Sequence, residues 1–229
     1  MADASENLKK LDLKELNECN LINKSAQDFI NNNHISSIQH NKMDILFDDA
    51  ILSQIKESHF INKYDKFFHV KNETECYFDL GDNLILRPLK RSDYSKNYIG
   101  LLSQLTLVGD VSKEQFEKRF DAMRSCFNSY YILVVEDLSK HTICATITHV
   151  YEQKFLRNIG ARGRIEDVVV DEKYRGKKLS KLLLDVAVQL SKLLGCYKIS
   201  LECKDHLLKL YQQFGFSLEE NQNYLCQRF

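Results

Sequence analysis

The feature that most constrains this chain is the run Arg164-Ile165-Glu166-Asp167-Val168-Val169-Val170-Asp171-Glu172-Lys173-Tyr174-Arg175-Gly176-Lys177-Lys178-Leu179-Ser180. It begins as a buried strand, passes through a basic turn and opens a helix. Leu179, Leu182, Leu183, Val186, Leu190, Leu193 and Leu194 recur at helical spacing, and Gly195 ends that helix. Tyr197 to Cys203 then alternates, with Ile199, Leu201 and Cys203 on one face and Lys198, Ser200 and Glu202 on the other. Strand, helix and strand in this order form a crossover. A helix start exposes unpaired N–H groups and the positive end of the helix dipole, so anions bind there. Gly176 lets the backbone approach a ligand, and Arg175, Lys177 and Lys178 add cations. The composition suits a pyrophosphate, although a basic turn of this kind also fits a plain solvated surface.

Upstream, Leu84-Ile85-Leu86-Arg87-Pro88-Leu89 reads as a short strand, and its proline suggests a sheet edge. Ser92-Asp93 opens a helical pattern. Ser112 and Gln115 form a capping box for a helix running to about Ser125. Tyr130 to Asp137 and Thr142 to Val150 are β-rich and flank a polar turn, which predicts a hairpin. A short helix over Leu207 to Gln213 follows the crossover, and Phe214-Gly215-Phe216 starts a final strand pair ending at Arg228-Phe229. Strands outnumber helices and hairpins dominate. The plan is α+β, with a mixed, mostly antiparallel sheet flanked by helices.

Residues 1–80 have a different texture. They are Asn-rich, as in Asn31-Asn32-Asn33, and only Leu8, Leu11 and Leu16 hint at a helix face. This stretch reads as a disordered or loosely docked extension, and residues 81–229 as the folded domain. Lys plus Arg and Asp plus Glu balance at 32 each, so the basic excess of a general nucleic-acid binder is missing. Seven cysteines, with no CxxC pair, read as free thiols in a reducing compartment, without a disulfide framework or a metal site. The polar start and the absence of a long apolar run point to a cytoplasmic protein with no transmembrane segment. A peripheral contact with an endomembrane stays open.

The run 164–180 resembles the acetyl-CoA motif of the GNAT superfamily, in which an Arg/Gln-x-x-Gly-x-Gly/Ala turn holds the pyrophosphate. More narrowly, the chain resembles the eukaryotic glucosamine-6-phosphate N-acetyltransferases. The blocks that carry this run in order from about residue 84 to the end. They include Leu86-Arg87-Pro88-Leu89, Val111-Ser112-Lys113-Glu114-Gln115-Phe116, Val134-Val135-Glu136-Asp137 and Arg162-Gly163-Arg164-Ile165-Glu166-Asp167. Lys181-Leu182-Leu183-Leu184, Cys196-Tyr197-Lys198-Ile199, Leu201-Glu202-Cys203 and Cys226-Gln227-Arg228-Phe229 continue the series. The resemblance implies a GNAT-like acyl-CoA N-acyltransferase fold. It also implies acetyl transfer to the 2-amino group of glucosamine 6-phosphate, a step towards UDP-N-acetylglucosamine.

The resemblance further implies the site residues. The backbone of Val168, Val169 and Val170 would pair with the pantetheine arm, and Arg175, Gly176, Lys177, Lys178, Leu179 and Ser180 would hold the pyrophosphate. Glu202 would assist deprotonation of the amine, and Tyr211 would protonate the leaving thiolate. Lys154, Phe155, Leu156, Arg157, Glu166, Asp167, Tyr197, Lys198 and Arg228 would line the sugar phosphate site. The C-terminal strand would cross to a second subunit of a homodimer and help build its pocket. No metal is implied. Four positions depart from the pattern: Lys178 and Ser180 stand where the motif has glycines, Leu207 where an asparagine meets the cofactor, and Arg157 where the family often has histidine. These departures leave two other readings open, a different amine as acceptor or a CoA-binding homologue without activity.

Overall fold

The computed structural model describes residues 44–60, 63–64, 67–71 and 75–229. One seven-stranded sheet organises them: β1 (Phe68–Lys71), β2 (Cys76–Gly81), β3 (Leu84–Pro88), β4 (Tyr130–Asp137), β5 (Thr142–Gln153), β6 (Ala161–Val170) and β7 (Cys196–Leu201). The strands lie side by side in sequence order. Every neighbouring pair is antiparallel except β6 and β7, which are parallel. The helices are α1 (Tyr98–Ser103), α2 (Lys113–Ser125), α3 (Leu179–Leu193) and α4 (Leu208–Gln212). This is the expected α+β plan, with α3 as the crossover.

Alternation along β4 sends side chains to two cores. Tyr131, Leu133 and Val135 join the larger one with Leu183, Val186 and Leu190 of α3. Ile132 and Val134 join the smaller one with Leu101 of α1 and Phe116 and Phe120 of α2. The start of α2 follows the sequence closely. The Ser112 hydroxyl accepts from the Gln115 N–H at 3.2 Å, and the Gln115 side chain accepts from the Ser112 N–H at 2.8 Å.

Three expectations need correction. Pro88 does not mark an edge, because β3 lies between β2 and β4. Pro88 is its last residue, past the last β2 pairing at Phe78–Leu86, where the N–H that proline lacks is not needed.

The boundary near residue 80 also moves. The first 43 residues, with Leu8, Leu11 and Leu16, lie outside the described residues. From Ile45 onwards the described residues pack with the sheet and its cores. Ile45 bridges to Lys90, and Leu52, Phe60 and Phe78 are completely buried. The rings of Phe60 and Phe67 stack at 4.1 Å and those of Phe67 and Phe78 at 4.4 Å. Short 3-10 turns and four- to six-residue strands carry no long period, so the pattern is invisible to a helix or strand template.

Finally, residues 214–229 form no strand pair. Leu218, Tyr224, Leu225 and Phe229 are exposed, as are Phe155, Leu156 and Ile159. None of them is paired with a described strand.

Candidate active site

β6 and β7 pair from Ala161–Cys196 to Ile165–Leu201 and no further. Beyond Ile165, β6 continues to Val170 beside β5 alone, so its other edge is open among the described residues. Just there β6 is bulged. Thr148 pairs with Glu166 and Thr146 with Val169, which leaves Asp167 and Val168 both opposite Ile147. Asp167 takes a left-handed φ of 51° to make the bulge. A cleft with one wall of unpaired backbone N–H and C=O groups suits an extended, amide-bearing ligand, which can add to a sheet edge as a strand does. Val169 turns into the smaller core, while Val168 and Val170 pack against the larger one.

The strand leads to the basic turn. Asp171 caps a short 3-10 turn by accepting from the Lys173 N–H at 2.9 Å. Gly176 has φ 85°, and a Cβ built on it would meet nothing within 4 Å. Lys178 is the N-cap of α3 with φ 61° and ψ 15°, a left-handed conformation. The glycine that the motif favours at 178 is therefore a conformational choice, and lysine holds the same shape under strain. The first helical bond runs from the Leu182 N–H to the Lys178 carbonyl at 3.0 Å, so the preceding N–H groups have no acceptor within the helix. Arg175, Lys177, Lys178, Leu179 and Ser180 surround this opening; Lys177 also lies over the Tyr174 ring at 5.8 Å. Leu207 packs against the larger core, which accounts for an apolar residue where the motif has asparagine. The open edge and the helix start fit an acyl-CoA thioester.

The carboxylates gather around one residue that the sequence reading missed. Arg164 donates from Nε to Glu166 and from Nη2 to Glu202. These hydrogen bonds, the one to Glu166 first, push its guanidinium above the ordinary arginine value. Its neighbour across the ladder is Ser200, two residues before Glu202. Alternation in Arg164-Ile165-Glu166 put both charges on one face, and that was the available signal. The Asp167 carboxyl is pushed up by loss of hydration and then by the Glu166 charge, while the Thr148 hydroxyl opposes the shift. Tyr211 is 8% exposed, with its ring edge-on to Phe216 at 6.1 Å. Burial first, then the nearby Cys203, pushes its phenol up, so it stays protonated at neutral pH.

The other candidates are held in smaller groups. Arg157 lies over the Tyr197 ring at 6.0 Å, on a turn where Arg157, Asn158 and Ile159 all take positive φ. Lys154 and Arg162 both pair with Glu152. Lys198 pairs with Glu219 at 3.1 Å. Phe155 and Leu156 point to solvent, and Arg228 lies on the exposed tail without an ion pair among the described residues. One chain therefore brings Glu166 and Glu202 onto Arg164, with Asp167 beside Glu166, and gives Arg228 no ion pair with them. Among the described residues no cluster of three or more His, Cys, Asp or Glu is arranged to hold a metal. None of the described helices is long and apolar enough to cross a membrane.

Comparison with known proteins gives this geometry its context. The model of the acetyltransferase (GNAT) family matches residues 101–216. The chain is 44% identical over 145 residues to the probable glucosamine 6-phosphate N-acetyltransferase of Drosophila melanogaster, covering 63% of this chain and 66% of that one. It is 40% identical over 138 residues to the glucosamine 6-phosphate N-acetyltransferase of Arabidopsis thaliana, covering 60% of this chain and 93% of that one. The crystal structure of the Arabidopsis enzyme superposes with a TM-score of 0.60 at 38% identity, over 65% of this chain and 99% of the other.

Proposed function

The chain belongs to the GNAT acetyltransferase family, and from that premise we propose that it transfers the acetyl group of acetyl-CoA to the 2-amino group of glucosamine 6-phosphate. The observation that carries the reading is the cleft where β6 parts from β7, with Arg164 and Glu202 at its closed end and the α3 start at its mouth. When bound, acetyl-CoA supplies an activated thioester. The chain's own groups supply the rest.

The open edge at Val168–Val170 aligns the pantetheine amides, and a backbone N–H there stabilises charge developing on the carbonyl oxygen. Attack requires a neutral amine. Glu202 accepts the proton on a carboxylate oxygen while Arg164 fixes the orientation of that carboxylate. The Tyr211 hydroxyl, kept protonated by burial, donates its proton to the departing sulfur. The sugar is recognised by charge and hydrogen bonding from Lys154, Arg157, Glu166, Asp167, Tyr197 and Lys198. Its phosphate needs a further cation, and Arg228 provides it from a second copy of the chain. The exposed apolar tail residues support such a homodimer, since single copies leave them in water. The product, N-acetylglucosamine 6-phosphate, feeds UDP-N-acetylglucosamine synthesis. Free thiols throughout the described residues suit a cytoplasmic setting.

The test is release of free thiol from acetyl-CoA, compared for glucosamine 6-phosphate, glucosamine and a lysine peptide. Release is expected with the phosphorylated sugar far above the other two. Equal release with all three would point to a different acceptor, and CoA binding without any release would point to a non-catalytic role.

A further inference from the structure

The turn between β6 and α3 is almost all surface. From Asp171 to Lys178 the one buried residue is Tyr174; residues 172–173 and 175–178 are exposed. Gly176 leaves open space where a side chain would sit. A stretch of this kind is held by its anchors, so its shape depends on what grips it. Gln104, just past the end of α1, grips the entry. Its Nε2 donates to Asp171 Oδ2 at 2.9 Å, and its Oε1 accepts from the Glu172 N–H at 3.0 Å. The middle of the turn is gripped through Tyr174.

The Tyr174 hydroxyl donates to Asp137 Oδ2 at 2.5 Å and accepts from Lys140 Nζ at 3.2 Å. Asp137 is the last residue of β4 and is 4% exposed. Its other oxygen accepts from the Ser139 hydroxyl at 2.6 Å and from the Ser139 and Lys140 N–H groups at 3.0 and 3.2 Å. The carboxylate is thus built into the β4–β5 hairpin. Burial works against its charge, but the hydrogen bonds from Ser139, Tyr174 and Lys140 outweigh burial and hold it down at about 2. From Tyr174 the path continues into the cationic half of the turn. The Tyr174 carbonyl accepts from the Lys177 N–H at 3.4 Å, and the Lys177 ammonium lies over the Tyr174 ring at 5.8 Å.

We propose that Asp137 is a positioning residue for the cofactor: through Tyr174 it holds the turn, before any ligand arrives, in the shape that receives acetyl-CoA. An anchored turn has less freedom to lose on binding, so cutting the anchor weakens affinity. The proton path through Glu202 and Tyr211 does not involve it. The inference rests on the acetyl-CoA reading above.

The experiment combines calorimetric titration of the full chain with acetyl-CoA, steady-state kinetics with glucosamine 6-phosphate, and melting points. Tyr174→Phe keeps the ring and removes the bond; Asp137→Asn keeps the shape and removes the charge. Each should raise the Kd and KM for acetyl-CoA about tenfold, as expected for one charge-assisted hydrogen bond. The kcat at saturating acetyl-CoA and the KM for the sugar should stay within about twofold. The double variant should bind no more weakly than the weaker single one, because both cut the same link. Ser139→Ala removes a bond to the same carboxylate on the hairpin side; it should lower the melting point and leave the Kd unchanged. Tyr174→Phe and Asp137→Asn variants with an unchanged Kd overturn the proposal, as do binding effects that add in the double variant. Ser139→Ala that weakens binding as much as Tyr174→Phe overturns it too, because affinity then follows the stability of the hairpin. If Asp137→Asn does not fold, Tyr174→Phe set against Ser139→Ala decides. Failure of the unmodified protein to bind acetyl-CoA would instead sink the acetyl-CoA reading itself, and this inference with it.

Discussion

Arg164 ties Glu202 to Glu166, and so joins the end of one strand to the middle of another. Glu202 and Tyr211 hold opposite ends of the proposed proton path, so each should be removable without disturbing cofactor binding. Glu202→Ala and Tyr211→Phe should each lower kcat on the order of a hundredfold. The Kd for acetyl-CoA, measured by calorimetry, should stay within about twofold. Loss of both quantities together would mean a folding defect rather than a lost proton transfer. Lys178 makes a different kind of prediction. A left-handed non-glycine residue costs about 1–2 kcal/mol, and glycine relieves it at some entropic cost. Lys178→Gly should therefore stabilise the free protein by about 1 kcal/mol, seen as a melting point higher by about 2–4 °C. The sequence showed Lys178 only as a departure from a motif. Its backbone angle, which gives the departure a physical meaning, depends on how the turn meets the helix and is not written in any single residue type.

Among the elements, the joint between β5, β6 and α3 is the most tightly fitted. His149 of β5 is fully buried and its Nε2 lies 2.6 Å from Ser191 Oγ on α3. A Cβ on Gly163 of β6 would fall 2.6 Å from His149 Nε2 and 2.9 Å from Ser191 Oγ. Gly163→Ala should thus force the helix off the sheet and cost about 1–3 kcal/mol by urea denaturation. Burial also pushes His149 down to about 4. Its folded-state value lies below the unfolded one of about 6.5, so the unfolded chain binds the proton first as pH falls. The stability it confers is complete above about pH 6.5 and is lost progressively towards pH 4. Between pH 7 and pH 5 the loss from this group should be about 2 kcal/mol, and His149→Gln should remove that portion of the pH dependence. The strongly periodic elements, α2, α3 and the β4–β5 hairpin, were legible in the sequence because one face of each is core. β1 and β2 were not, since strands of four and six residues beside 3-10 turns leave too short a pattern. The bulge at Asp167 was equally hidden, because it exists only as a mismatch between two strands.

For the molecule as a whole, the tail is where one chain is least complete. It passes close to Glu202: Cys226, and then Glu202, hold the Tyr224 phenol above its ordinary value. Yet Leu225 is 89% exposed and Phe229 wholly so. If a second copy covers them, analytical ultracentrifugation should find a dimer at micromolar concentration. Leu225→Asp combined with Phe229→Asp should then shift it to monomer and lower activity with it; a variant that becomes monomeric with full activity would remove Arg228 from the proposed sugar site. The substrate pocket was legible in the sequence only through resemblance, since its members are scattered over the β5–β6 connection, β6, β7 and the tail and no spacing rule links them.

The strand order has a consequence of its own. Each strand lies beside the one that precedes it in the chain; α1 and α2 lie between β3 and β4, and α3 crosses over between β6 and β7. A nascent chain leaving the ribosome can therefore extend the sheet one strand at a time, each newcomer finding its template already made. The closures are short except at β3–β4, which waits for α1 and α2, and at β7, which waits for α3 to form and cross over. The half of the cleft that β7 supplies thus arrives after the rest of the sheet, and no cofactor can be gripped on both sides before β7 is in place.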